Sequence, residues 1–207
     1  MPQLSLDIAD ELAARFFAEQ AHVADASRTY TRDELLAFLR DNVELICAEI
    51  AGTAPEQLAY RLPGAPEGPD ESGDEENFDT SEIVSHLAVG TAFHWWNLTR
   101  ALHADRPPMP KAPAGVHVTG KKRSGMGAGG WRGSSPEELS AVLRQTVADF
   151  TAYVEAIPAE TWAEGQSSFG LFRDMSPHDW LFLVAVHAAM HLNQIRRMKA
   201  MPDFPGA

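Results

Sequence analysis

Residues 176–199 read SPHDWLFLVAVHAAMHLNQIRRMK, and the periodicity of this stretch decides the fold. Ser176-Pro177-His178-Asp179 combines an N-cap hydroxyl, a proline at the first helical position and an acid in the first turn, three features that satisfy or complement the free amides of a helix start. The run closes on Arg196, Arg197 and Lys199, a basic turn that complements the opposite end of the helix dipole. At about 100° per residue, Trp180, Leu183, Val184, His187, His191, Gln194, Ile195 and Met198 share one stripe. The stretch is therefore a helix over about 177–200 whose inward face carries two histidines.

Working outward, three more segments have the same helical character. Residues 136–156 open with Ser135-Pro136-Glu137-Glu138, a second strong start. Residues 80–104 follow Asp79 or Thr80 as cap, carry Ile83, His86, Leu87, Phe93, Trp95, Trp96 and Leu98, and stop before Arg106-Pro107-Pro108. Residues 32–51 open with Thr31 and Glu34 in capping-box spacing, with Leu35, Leu39, Val43, Ile46 and Ile50 inward. An amphipathic stretch at about 5–24, with Ile8, Leu12, Phe16 and Phe17, adds a helix outside these four. Stretches 63–78 and 105–134 are rich in Pro, Gly and charge and read as loops, and no segment alternates as a strand does. The expected class is all-α: a four-helix bundle over 31–207 preceded by a helical extension over 1–30.

Bulk properties narrow the function. The 207 residues carry a formal charge of −12, which disfavours nucleic acid or an anionic membrane as partner. The opening MPQLSLDIADELAARFF carries three acids and no apolar h-region, no stretch approaches the roughly 18 apolar residues of a membrane span, and the one cysteine, Cys47, excludes an intrachain disulfide. These features are those expected of a cytoplasmic protein. Cys47 lies between Ile46 and Ala48 on the first bundle helix and reads as a small core residue, not a nucleophile. The run Gly125-Met126-Gly127-Ala128-Gly129-Gly130 lacks the Lys-Ser/Thr ending and preceding strand of a phosphate cradle, and Lys121-Lys122-Arg123 beside it reads as a solvated turn.

The chemistry-bearing feature is His187-x-x-x-His191, because residues four apart on a helix share a face about 6 Å apart and can direct two imidazoles at one metal. Burying two imidazoles on an apolar face without partners costs on the order of a few kcal/mol. The alternative to a metal is a pair of core histidines, each hydrogen-bonded to a backbone carbonyl or to a carboxylate such as Glu82. A third ligand must come from another helix. His86 is the better placed: Glu82 lies one turn before it and Gly90 one turn after, and a mid-helix glycine, which costs about 1 kcal/mol relative to alanine, implies that space beside His86 is needed. His94, its rival, is about 80° away on the wheel among bulkier residues. His22, His103, His117 and His178 fall at helix ends or in loops and are expected to be solvated, and Trp95, Trp96 and Trp131 are candidates to line a pocket above the metal.

Ligand position constrains topology. His86 is about seven residues into its helix, and His187 and His191 about eleven and fifteen into theirs, so parallel packing would separate the ligands by roughly 6 to 12 Å along the axis. The second and fourth bundle helices should therefore be antiparallel, which requires the second and third to run the same way, joined by a crossover through the 105–134 loop.

Thr80-Ser81-Glu82-Ile83-Val84-Ser85-His86-Leu87, followed near the C-terminus by His187-x-x-x-His191-x-x-Gln194-Ile195, resembles the DinB and YfiT-like superfamily, the likeness covering about 31–200. The resemblance implies an up-down-down-up bundle, often a homodimer, with His86, His187 and His191 holding zinc, nickel or another divalent metal and with Glu82 and Gln194 as supporting groups. Gly90 stands where many relatives have a larger, often acidic residue, so no catalytic acid is carried over. Three neutral imidazoles leave coordination positions open, as a catalytic metal requires. The resemblance further implies a small-molecule substrate and, in particular, an S-transferase using a low-molecular-weight thiol such as bacillithiol or mycothiol. A metal-dependent hydrolase with Glu82 as general base, and a non-catalytic, stress-associated metal-binding protein, are the alternatives.

Overall fold

Each long helix begins where a polar side chain satisfies its first free amides. In the computed structural model, which describes residues 4–17, 22–62, 78–103, 134–162, 165–169 and 172–206, four capping boxes open four long helices. Thr31 with Glu34 opens α3 (Arg32–Ile50), Asp79 with Glu82 opens α5 (Thr80–Leu102), Ser135 with Glu138 opens α6 (Pro136–Ala156), and Ser176 with Asp179 opens α7 (Pro177–Lys199). These agree with the expected segments to within two residues at each end. Between Asp79 and Thr80, it is Asp79 that caps α5, accepting the Glu82 amide at 2.9 Å while Glu82 Oε2 accepts the Asp79 amide at 3.0 Å.

Two expectations are corrected. The amphipathic stretch at 5–24 is not one helix but two, α1 (Leu6–Phe17) and α2 (Val23–Ser27), with residues 18–21 outside the described set. A single turn, α4 (Pro55–Leu58), follows α3. The expectation of no sheet also fails: β1 (Ser167–Phe169) and β2 (Phe172–Met175) pair antiparallel between α6 and α7. Strands of three and four residues are too short for alternation to register in the sequence, and this hairpin is held by tertiary contacts instead. Ser167 Oγ donates to the Asn97 carbonyl on α5 and accepts the indole N–H of Trp180 on α7, both at 2.8 Å.

The helix α7 is the centre of the molecule. Seventeen of its 23 residues are buried, more than one inward stripe accounts for, because α1, α2, α3 and α5 all pack against it. Phe16 of α1 meets Phe182 edge to face at 6.1 Å, and Asn193 donates to the Leu6 carbonyl and the Asp10 carboxylate. Leu4, Ala9, Ala13, Phe16 and Val23 thus belong to the same hydrophobic core as α3, α5, α6 and α7. No helix among the described residues is long and apolar enough to cross a membrane.

Contacts order the long helices against one another. On α5 and α7, His86 meets His191 whereas His94 meets Trp180, so the two helices run in opposite directions. On α3 and α6, Arg32 donates to the Ile157 carbonyl at 3.1 Å while Cys47 lies against the Ser140 carbonyl, again opposite. Tyr30, just ahead of α3, stacks on Phe182, and Glu49 near its end binds Arg196 and Lys199, so α3 and α7 run the same way.

Candidate metal centre

Antiparallel contact between α5 and α7 brings His86 to the level of His187 and His191. All three are buried. His187 Nε2 lies 3.0 Å from His86 Nε2 and 3.0 Å from His191 Nε2, and the three ligand nitrogens fall within 4.8 Å of one another. The rings stand nearly perpendicular, at 71 to 78°, with centroids 4.6 to 5.1 Å apart, so they converge by their edges and do not stack.

This is a donor set for a cation. A proton on His187 Nε2 can be directed at one of its two neighbours only, whereas a cation at the point of convergence serves all three nitrogens. Two imidazole nitrogens each about 2.0–2.1 Å from a tetrahedral ion stand about 3.3 Å apart, close to the separations here. The three residues therefore form a cluster that can hold a metal ion.

The surroundings orient the rings. His191 Nδ1 lies 2.7 Å from Gln194 Oε1, an acceptor, so the ring proton sits on Nδ1 and the Nε2 lone pair faces the cluster. Phe78 packs edge to face on His86 at 5.2 Å. Phe78 closes the stretch that the sequence marks as loop, yet it is buried, and its being the one aromatic residue in that acidic run is the signal that could have marked it. Glu82, one turn before His86, is buried and pairs with Arg61 while its carboxylate also caps Asp79. Arg61 binds Asp79 as well, at 3.3 Å. Burial, followed by the nearby Glu82 charge, pushes the Asp79 carboxyl above the usual aspartate range despite its hydrogen bonds and Arg61.

Gly90 is placed differently from the sequence reading, and His94 is not. The space that Gly90 leaves is beside His187, not His86: a Cβ there would lie 3.2 Å from His187 Cε1. His94 is not in the converging set but is buried next to it, 5.9 Å from His187 and 5.6 Å from Trp180 between ring centroids.

The remaining candidates lie elsewhere. His22 and His103 are exposed, as expected, and His117 lies outside the described residues. His178 is not simply solvated: it is half-buried, its Nε2 3.0 Å from the Ser27 carbonyl and its Nδ1 accepting from the Trp162 indole. Trp95 packs against Phe150 and Tyr153 of α6, and Trp96 against Phe93 and the Arg100 guanidinium. Trp131, the glycine run and Lys121-Lys122-Arg123 lie outside the described residues. Cys47 is a core residue whose thiol burial pushes up, the opposite of activation.

A helical protein with three imidazoles converging across two antiparallel helices is thus defined by a buried cluster able to hold a metal. The chain belongs to the DinB superfamily, whose family model matches residues 80–195, more than half of the chain and the whole span from the start of α5 to Ile195. No curated protein and no solved structure matches it.

Proposed function

We propose that His86, His187 and His191 are the ligands of one divalent transition metal, zinc or nickel, and that the chain is a metal-dependent enzyme that joins a low-molecular-weight thiol to an electrophile. The observation that carries this is the convergence of three Nε2 atoms, two of the three separations being 3.0 Å. When bound, such a metal supplies Lewis acidity with coordination positions to spare and lowers the pKa of a thiol or water brought to it. His86 enters from α5 and His187 and His191 from α7, so the cluster also ties these helices together. Gln194 holds the His191 tautomer, and the burial of the three rings keeps bulk water from the donor face. Conjugation forms one carbon–sulfur bond, breaks the bond to the leaving group and releases the thiol proton. The order of contacts supports an up-down-down-up arrangement of α3, α5, α6 and α7, the topology in which His86 and the α7 pair share a level.

Hydrolysis is the less favoured chemistry, because it calls for a general base and the Glu82 carboxylate is engaged by Arg61 and the Asp79 amide. The test has two stages. Elemental analysis of tag-free protein should give stoichiometric metal in the wild type and a loss in His86→Ala and His191→Ala; retention by both variants refutes the site. Metal-loaded protein is then assayed with cellular thiols against a panel of electrophiles. Conjugation that disappears in His86→Ala supports the reading, and absence of conjugation, or turnover that needs no thiol, overturns it.

A further inference from the structure

Gly90 is the eleventh residue of a 23-residue helix, where glycine is the poorest choice after proline. Its backbone does not require it, since Gly90 is absent from the positive-φ glycines among the described residues, Gly52, Gly165 and Gly206. What requires it is a close approach: a Cβ on Gly90 would come 3.2 Å from Cε1 and 3.6 Å from Nδ1 of His187.

His187 is the ligand with least room to yield. Its Nε2 is the common partner of both 3.0 Å contacts, and its ring is bounded by His191 at 4.6 Å and His94 at 5.9 Å between centroids. Cε1 is bonded to both ring nitrogens, so pressure on Cε1 is passed directly to Nε2. A methyl group at position 90 has two routes of relief. Either the His187 ring gives way, which shifts the central donor, or α5 backs off from α7. The second route carries His86 with it, because His86 lies one turn before Gly90 on the same helix. Both routes alter the spacing of the donor set.

We propose that Gly90 is a positioning residue: the bare α5 backbone at this point sets the depth of the His187 imidazole and thereby the geometry of the three-nitrogen cluster. The inference rests on the metal reading above and adds to it a residue that touches no metal. Gly90→Ala and Gly90→Val are compared with wild type in three measurements: zinc affinity by chelator competition, the visible absorption of the cobalt-loaded protein, and thermal unfolding of the metal-free protein. Zinc affinity is expected to fall about 10- to 100-fold in Gly90→Ala, the range found when supporting groups around metal ligands are lost, and further in Gly90→Val. The cobalt spectrum should shift. Gly90→Ala with wild-type zinc affinity and an unchanged cobalt spectrum overturns the proposal.

A second arm keeps the idea testable without metal. In a His187→Ala background the obstructing ring is gone, so Gly90→Ala should raise metal-free thermal stability by more than it does with His187 present. Equal effects in the two backgrounds overturn the Gly90–His187 link. Failure of wild type to take up stoichiometric zinc, nickel or cobalt is a different result and refutes the metal reading itself.

Discussion

His191 Nδ1 and Gln194 Oε1 lie 2.7 Å apart within one turn of α7, and both residues are buried. The amide oxygen only accepts, so the contact places the ring proton on Nδ1 and leaves Nε2 to donate its lone pair toward His187 and His86. Gln194 thus selects the tautomer that a metal held by this cluster would need.

Removing this acceptor with Gln194→Ala should weaken zinc binding about 10- to 100-fold, the usual consequence of losing the partner of a ligating imidazole. Gln194→Glu preserves an acceptor and should retain most of the affinity. Chelator competition distinguishes the two, and equal affinity in wild type and Gln194→Ala would show that His191 needs no such orientation.

Most of the helical frame is legible in the sequence because its signals are local. Thr31, Asp79, Ser135 and Ser176 each sit three residues before an acid that returns the hydrogen bond, and a capping box lies within four residues of chain. The His187 and His191 pair is local for the same reason, and His86 is marked by Glu82 and Gly90 one turn to either side, its level along the helix then setting the expected antiparallel packing. What is not legible is which atoms meet. A helical wheel puts Gly90 on the stripe of His86 but does not reveal that the ring filling its space comes from α7. Phe78 looks like loop because its role, packing edge to face on His86, is a contact made in space with a residue two helical turns further on. The β1–β2 hairpin depends on Ser167 reaching Asn97 and Trp180, partners 70 residues before it and 13 after.

That hairpin anchor has a measurable value. Ser167→Ala leaves the buried Trp180 indole N–H and the Asn97 carbonyl without their shared hydroxyl, at a cost of about 1–3 kcal/mol. Urea unfolding should show a lowered midpoint at unchanged slope. In a Trp180→Phe background the same substitution should cost less, since the indole donor is already gone. A Ser167→Ala effect within about 0.5 kcal/mol of zero, the range of ordinary surface changes, would mean that the hairpin does not pin α5 to α7.

The Asp79 carboxyl makes a prediction about pH whose sign is fixed by its surroundings. Burial, then the charge of Glu82, raises its pKa above the ordinary value of 3.8, while Ser81, the Glu82 amide and Arg61 oppose the rise without cancelling it. At pH values between the unfolded and the folded pKa, the folded state therefore holds more protons at this site than the unfolded state. The Asp79 contribution to stability is present in full below 3.8 and declines as pH rises through the folded value. Asparagine keeps an oxygen able to cap α5 but cannot ionise. The stability of Asp79→Asn minus that of wild type should thus increase as pH rises above 3.8 and level off once Asp79 is ionised. The Arg61 attraction acts on the ionised carboxylate and is already among the effects that oppose the rise, so it reduces this slope without reversing it. Denaturant titrations of both proteins across the acidic range measure it. A difference that falls with pH would mean that Arg61 and the cap outweigh burial, reversing the balance of forces at the start of α5.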